Sequence, residues 1–381
     1  MMFHGEVYDR EWNGFFRYAT RRDWSEPHYE KMLEDNAGLL RNALLLLRIS
    51  GSEEHADIAR GVIEYVESKL RDHGKGYFYG SQDADEEFYK LNAEQRKEHR
   101  EPYIDRTCYV GWNAQMISAY FEAYWTLDRR DLLDAALGSL TFLWENCRDA
   151  ETGSMYRYHD GSPHVTGLLG DQAHVARALL DAAEATGDPK WNERAAELAS
   201  LLDTRFRDEK DGGFFDVWDV APDVGRLRDR QKSIQDNAVC AEVFTRLYHL
   251  TREEKYNDIA RSTLESFAAS VPQMGYFAAA FAKQVDLLLH PPAEVSIVGE
   301  PSTTREMLWC ALSLYVPFRI VQSLEPARDA ERLAALSLPA NPSPAAYVCV
   351  GTTCSAPVTD PDSLIETVRR MAKDQQVAQG D

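Results

Sequence analysis

The chain has 381 residues and carries 42 Lys+Arg against 62 Asp+Glu, a formal net charge of -20. That sign excludes a sizeable basic footprint for nucleic acid or an anionic membrane surface. Hydrophobic residues at 44% and aromatics at 11% supply a substantial core, so most of the length is expected to fold. Apolar runs such as Ala43–Leu47 and Ala278–Ala282 fall far short of the roughly 20 residues of a membrane span. No charged start followed by an apolar run opens the sequence, and six cysteines in a chain this long do not make a disulfide framework. Both features lead us to expect a cytoplasmic protein with reduced thiols.

From the first residues, Trp12-Asn13-Gly14-Phe15-Phe16 reads as the closing signature of a helical hairpin whose helices precede Met1. Four segments then share one plan. Each opens on a short polar signature: Asp35-Asn36-Ala37, Trp112-Asn113-Ala114, Asp171-Gln172-Ala173 and Asp236-Asn237-Ala238. Two helical patterns follow, and each segment closes on glycine with aromatic residues, at Gly76-Tyr77-Phe78, Gly153–Tyr156, Gly213-Phe214-Phe215 and Gly275-Tyr276-Phe277. About 40 residues from signature to glycine is the length of two antiparallel helices of four to five turns. The first helix of each pair is rich in apolar and small residues, and the second carries a charged face. The first therefore belongs inside and the second outside.

Connections within a pair are short, as at Gly187-Asp188, whereas those between pairs are long, as at 76–111 and 212–235. Hairpins in series place the long loops at one end, where binding and catalytic groups are usually built. The remaining elements are an inner-type helix from Phe277, a short strand at Glu294–Val298, an outer-type helix at Met307–Leu314, an extended Ala346–Val350 and a last helix at Asp362–Ala372. Gln375–Asp381 is expected to fray. The reading is an all-α fold of αα-hairpins, an (α/α)6-type toroid one hairpin short at its N-terminus, in a single domain spanning 1–381. Its hairpins lie at about 35–80, 112–158, 171–218, 236–277 and 277–322, with a strand/helix tail at 345–373.

Several blocks carry a resemblance. Phe16-Arg17-Tyr18-Ala19-Thr20, Trp24 and Pro27–Ala37 resemble a hallmark block of the thioredoxin-domain proteins related to spermatogenesis-associated protein 20. Tyr79–Asp85, Trp112-Asn113, Leu168–Ala173, Glu294–Gly299 and Ala346–Cys349 with Cys354 and Pro357–Asp360 extend it over nearly the whole chain. The resemblance implies a helical part of the six-hairpin glycosidase type, similar to N-acylglucosamine 2-epimerase. In that family such a part follows a thioredoxin-like domain, for which this chain has no counterpart.

The expected function is a carbohydrate-active or carbohydrate-binding protein with acid/base chemistry at the long-loop end. The alternative is a non-catalytic module working with a separate thioredoxin-like partner. His28 and Glu30 supply an imidazole and a carboxylate before an inner helix, as proton transfer on a sugar requires. Asp83 and Asp85, two apart, share a side if extended, and serve either as carboxylates of a site or as Asx anchors of a long loop. Asp35, Asp171 and Asp236 stand where N-caps are expected, with Asp171 the best placed of the three to reach a ligand. The candidate acid/base set is His28, Glu30, Asp83, Asp85 and Asp171. Arg17, Tyr18, Trp24, Tyr79, Trp112, Asn113, Tyr156 and Trp218 are the candidate sugar-binding groups, aromatic faces stacking on sugar rings beside polar side chains. Cys349 and Cys354 lack the further ligands of a zinc site and read as ordinary thiols, or as a disulfide or thiol switch. No phosphate-binding glycine loop or metalloprotease motif is present, and neither metal nor cofactor is expected.

Overall fold

The computed structural model describes residues 2–218, 229–339 and 344–378. Residues 219–228 of the long connection before the fourth repeat, and 379–381 of the tail expected to fray, lie outside them. The chain divides into two compact units, Met1–Ala178 and Leu179–Asp381.

Helices α1 (Leu33–Ser50) and α2 (Glu53–Tyr65), α3 (Val110–Leu127) and α4 (Arg130–Asn146), α5 (Leu169–Thr186) and α6 (Pro189–Arg205), and α7 (Ile234–Thr251) and α8 (Glu254–Glu265) are the four hairpins. A residue in the left-handed region follows each of the four first helices: Gly51 after α1, Asp128 after α3, Gly187 after α5 and Arg252 after α7. The expected contrast in burial holds in the second hairpin. α3 is buried almost all round, from Val110 to Trp125. α4 buries only Leu132, Ala135, Ala136, Ser139, Leu140 and Leu143, a single stripe at helical spacing. In the first unit α1 packs against α3, and Arg41 pairs with Glu122 between them at 2.6 Å.

The polar signatures work differently from caps. Each first helix begins two residues before its aspartate, so Asp35, Asp171 and Asp236 fall in the third helical position. α1 has no side-chain cap, and α7 is capped by Ser233. The residue after the aspartate does the structural work. Asn36, Asn113, Gln172 and Asn237 are 0–1% exposed. Each side-chain amide accepts from the backbone N–H and donates to the backbone C=O of one residue in the closing signature ahead of it. The partners are Phe15, Phe78, Met155 and Phe214, all at 2.7–3.1 Å. A third bond goes to the carbonyl four residues back, on Met32, Tyr109, Leu168 and Ser233.

The closing signatures at Gly14, Gly76, Gly153 and Gly212 are tight turns begun by an aspartate that the sequence pattern does not single out, whereas Gly275-Tyr276-Phe277, expected as another, forms a 3-10 turn (Gly275–Ala278) that runs into the next helix. Asp9, Asp72, Asp149 and Asp208 accept from backbone N–H groups two or three residues on. Gly14, Gly76, Gly153 and Gly212 then take φ of 75°, 90°, 75° and 72°, which a residue with a Cβ adopts only at a cost. Each turn folds the chain back on the segment just before it, as in the bridges Tyr8–Phe15, Arg71–Phe78, Arg148–Met155 and Arg207–Phe214.

Short strands follow the turns in the first unit. β1 (Tyr18–Ala19) pairs with β2 (Pro27–His28). β3 (Lys31–Met32), β4 (Ser81–Gln82) and β5 (Ile104–Asp105) form one sheet, and β6 (Cys108–Tyr109), β7 (Tyr158–His159) and β8 (Pro163–His164) another. β3 runs straight into α1 and β6 into α3. The long connections are thereby tied to the starts of the inner helices.

The segment expected as a fifth hairpin, 277–322, is a correction. It contains α9 (Ala279–Leu289), then β9 (Ala293–Val298), α10 (Pro301–Ser313) and β10 (Arg319–Leu324), with β9 and β10 parallel. A βαβ unit needs its helix against the sheet, and α10 packs on both strands. α11 (Ala330–Ala335), β11 (Ala345–Val350), β12 (Thr353–Cys354) and α12 (Pro361–Ala378) complete a four-stranded sheet of order β10-β9-β11-β12, with β11 antiparallel to both neighbours. Val298, Leu324 and Tyr347 pack with Leu333 of α11 on one face. α10 and α12 pack together, and both contact β9.

The amide clamp gives the first prediction. Asn113→Ala leaves the Phe78 N–H and C=O and the Tyr109 C=O without their partner in a buried site. At about 1–3 kcal/mol for each orphaned group, urea denaturation is expected to show a loss on the order of 4 kcal/mol. A loss below about 1 kcal/mol contradicts the role given to the clamp.

Candidate functional site

The first unit carries a hairpin device twice. In the first copy Tyr18 faces His28 across β1 and β2, their rings stacked at 5.1 Å between centroids and 16° between planes. The Arg17 guanidinium donates to Glu30 Oε2 at 2.9 Å, and His28 Nε2 lies 3.6 Å from the same oxygen. In the second copy Tyr158 faces His164 across β7 and β8, with rings 4.9 Å apart. Here Arg157 donates to Asp171 Oδ1 at 3.1 Å. Both copies read aromatic-Arg-Tyr followed by Pro-His. The repeated Pro-His pair was the available signal.

Alternation along an extended segment separates working groups from anchoring ones. His28 and Glu30 are partly exposed, while Lys31 is fully buried. Lys31 Nζ donates to Asp9 Oδ2 and to the Asn13 carbonyl, both at 2.7 Å, and sits over the Phe16, Tyr65 and Tyr89 rings. Arg96 donates to the same Asp9 oxygen at 2.7 Å. Burial pushes the Lys31 ammonium down to about 8, against the pull of Asp9. Burial also opposes ionisation of Asp9, yet Lys31 and Arg96 together hold its carboxyl below the usual range. This ion triad ties the segment before α1 to the first closing turn. Nothing in the sequence pattern marked it, since Asp9, Lys31 and Arg96 lie far apart and belong to residue types that usually stay on the surface.

Asp171 is 1% exposed and accepts from the Gly111 N–H at 3.0 Å as well as from Arg157. It therefore serves the first turn of α3, a neighbouring helix, and not its own. A carboxylate there also meets the positive end of the helix dipole. Asp35 is the further group that this geometry brings forward. Burial, with Glu34 and Glu30 adding repulsion, pushes its carboxyl up to about 6 against the pull of Arg17. A carboxyl at that value exchanges protons near neutrality.

Trp112 lies beside Tyr109 at 4.3 Å, with Arg157 over its ring at 5.9 Å. Tyr109 continues to Tyr158 at 6.3 Å and donates its hydroxyl to Asp105 at 3.0 Å. Trp112, Tyr109, Tyr158 and His164 thus form an aromatic shelf next to Arg157 and Asp171. Tyr18 and Trp24 are the exposed rings on the β1–β2 side.

Other expected groups are occupied elsewhere. Asp85 caps the short helix Glu86–Tyr89 by accepting from Phe88 N, and Asp83 accepts from the Ala84 N–H. Among the described residues neither makes an ion pair or hydrogen bond with His28, Glu30 or Asp171. Asn113 is fully engaged in the clamp and buried, so it presents no amide to solvent. Tyr156 donates its hydroxyl to Asp149 at 2.7 Å, and together with Thr152 it holds that carboxyl down to about 2. Tyr79 lies under Arg106 at 5.6 Å. Trp218, in the second unit, stacks on Phe206 and lies under Arg205.

The second unit has a cavity of about 210 Å³ lined by Glu184, Gly187, Arg246, Gln322 and Arg332. It lies by the short turns at Gly187 and Thr251, at the end opposite the closing signatures. Among the described residues no three His, Cys, Asp or Glu side chains cluster to hold a metal, and no helix is long and apolar enough to cross a membrane.

The family model described as N-acylglucosamine 2-epimerase (GlcNAc 2-epimerase) matches residues 99–278. Over 96% of its length the chain is similar to human spermatogenesis-associated protein 20, at 24% identity. It spans about three-fifths of the length of the curated relatives it matches, 61% for the human protein. Among solved structures it is similar to cellobiose 2-epimerase from Bacillus thermoamylovorans, with a TM-score of 0.57, 15% identity, and coverage of 69% of this chain and 67% of that one. It is also similar to a family 76 glycoside hydrolase (mannosidase) from Bacteroides thetaiotaomicron, with a TM-score of 0.57, 12% identity, and coverage of 75% and 78%. These likenesses show the fold, a helical-hairpin fold of the (α/α)6 type.

Asp35 yields a pH prediction. A carboxyl whose folded value is raised disfavours the folded state once it must ionise. The stability it contributes is full below about 4 and is lost as pH rises through about 6. Asp35→Asn removes that loss, so urea denaturation is expected to find the variant more stable than the parent at pH 8, by on the order of 2 kcal/mol, and little changed at pH 4. Equal stability differences at both pH values contradict the raised value.

Proposed function

We propose that this chain is a carbohydrate-active protein and that its reaction is proton transfer on a reducing sugar, of the epimerase or isomerase class. The observation that carries this reading is the twice-built set of imidazole, guanidinium and carboxylate beside aromatic rings in the first unit. The family match supports it, since 99–278 includes Trp112, Arg157, His164 and Asp171. Among the similar solved structures, the name of the cellobiose 2-epimerase supports the reaction class, and that of the mannosidase supports only a carbohydrate substrate.

In this reading the aromatic shelf takes the C–H face of a sugar ring, and the arginines hold an oxygen that gains negative charge as a proton leaves the neighbouring carbon. His28 is the base that accepts that proton. Asp35, whose carboxyl is raised to about 6 within the electrostatic reach of Glu30 and Arg17, returns one. Glu30 is a positioning residue, fixing Arg17 and lying beside His28. Asp171 holds Arg157 against the start of α3. Asp83 and Asp85 organise the long connection and take no part in proton transfer. Positioned acid/base groups supply about 10²–10⁴-fold each, and that range sets the expected size of the effect.

Incubation with mono- and disaccharides in D2O, followed by NMR, is expected to show product formation with deuterium entering at the carbon next to the carbonyl. His28→Ala and Asp35→Asn are each expected to lower turnover by about 100-fold or more, whereas Asp85→Ala keeps it wherever the fold is intact. Absence of deuterium incorporation with every sugar tested, or full turnover by His28→Ala, contradicts the reading. Sugar release from a glycoside without deuterium incorporation contradicts it too, and points to hydrolysis.

A further inference from the structure

The C-terminal sheet carries chemistry that the sugar reading does not use. Strand, helix, strand, helix, strand hairpin and helix follow in order over β9, α10, β10, α11, β11, β12 and α12, with sheet order β10-β9-β11-β12 and β11 alone running against the other three strands. That is the connectivity of the thioredoxin fold, found at the end of a chain whose sequence led us to expect no thioredoxin-like counterpart. In that fold the dithiol sits between the first strand and the first helix, where a helix N-terminus stabilises a thiolate. Here the position holds Gly299-Glu300-Pro301-Ser302, without sulfur. The module's cysteine pair lies instead on the strand hairpin, and its one other cysteine, Cys310 of α10, is a half-buried free thiol. Cys349 of β11 and Cys354 of β12 are directly opposed and joined by a disulfide.

Three observations separate this bond from a structural staple. It closes a ring only from 349 to 354, the kind of short loop that restrains an unfolded chain least. The hairpin has other ties, since Ser355 N donates to Val348 O at 2.8 Å, Ala346 N to Val358 O at 2.7 Å and Val358 N to Ala346 O at 2.9 Å. Cys354 is exposed, whereas the free Cys108, Cys147 and Cys240 are buried. The strand that carries Cys354 is also the last of its sheet, so its outer edge is open to an added extended segment.

We propose that Cys349–Cys354 is a reversible dithiol–disulfide site that is reduced by a protein dithiol of the thioredoxin class, with Cys354 as the sulfur attacked. A partner segment pairs with the open edge of β12 and brings its thiolate to the exposed Cys354 Sγ. A new S–S bond forms there as the bond to Cys349 breaks, and Cys349 Sγ leaves with the electron pair and takes a proton. The partner's second thiol, deprotonated, then attacks its own sulfur in the mixed disulfide and releases Cys354, which is protonated in turn. The chain gains two electrons and two protons, and the partner becomes a disulfide. Neither Cys349 nor Cys354 stands at a helix start, so neither gains the thiolate stabilisation of an attacking sulfur, and the partner supplies the nucleophile.

The test uses the whole folded chain. Thioredoxin, kept reduced by its reductase, is expected to release two additional titratable thiols per chain at least tenfold faster than dithiothreitol at equal dithiol concentration. A thioredoxin whose second active-site cysteine is replaced by serine is expected to trap a one-to-one adduct, mapped to Cys354. The Cys349→Ser/Cys354→Ser variant is expected to keep a cooperative melt. Release of no thiols from the folded chain, a rate equal to that of dithiothreitol, or an adduct on Cys349 each overturns the proposal. An unfolded double variant does so as well, because the bond is then structural.

Discussion

One buried side-chain amide per repeat ties the architecture together. Asn36, Asn113, Gln172 and Asn237 each satisfy both backbone groups of a single residue in the preceding closing turn, and at the same time belong to the first turn of an inner helix. Buried backbone groups must be paired, and a return turn pressed against a helix start has no ladder to pair them. The amide supplies that ladder in miniature. It fixes where each closing signature lies relative to the next helix. Through that placement it sets where the long connections begin.

The site follows from this constraint. Because Phe15 is clamped to α1, the residues just after it, Arg17 and Tyr18, are delivered beside the segment that enters α1, where His28 and Glu30 stand. Because Met155 is clamped to α5, Arg157 and Tyr158 arrive beside Asp171 in the same way. The two hairpin devices are alike because the same anchor precedes each by two residues. The Asp9–Lys31–Arg96 triad adds a second tie at the first copy only. Removing one member of a buried charge set costs about 3–5 kcal/mol, so the triad is a rigid floor under the His28 and Glu30 segment.

Much of the fold was legible in the sequence. The recurring signatures, the short and long connections and the contrast between apolar and amphipathic helices led to four hairpins that the structure contains. The signatures were read one step off. Aspartate before an apolar run is the usual mark of an N-cap, but here the helices start earlier and the next residue, an amide, makes the decisive bonds. The stretch 277–322 was misread because α10 has an amphipathic pattern compatible with an outer helix. Only the pairing of β9 with β10, a contact between segments far apart in sequence, shows it to be a crossover helix. Of the residues in the proposed site, His28, Glu30, Arg17, Trp112 and Asp171 are singled out by residue type and place alone. Asp35 reads first as a cap and ranks behind Asp171 as a ligand-reaching carboxylate, because its burial and its acidic neighbours are properties of the folded chain. Asp83 and Asp85 looked like a site because paired carboxylates are chemically suggestive, although local backbone geometry claims both.

The central claim is that the connections leading into the inner helices of the first unit form a sugar site. Hydrogen–deuterium exchange of the whole chain, read with and without a saturating sugar, tests it most directly. The account predicts slower exchange confined to the segments around 17–30, 105–112 and 156–171, with the α2 and α4 amides unchanged. Protection that falls only around the cavity near Arg246 and Arg332, or none at all with a sugar that is turned over, would contradict it.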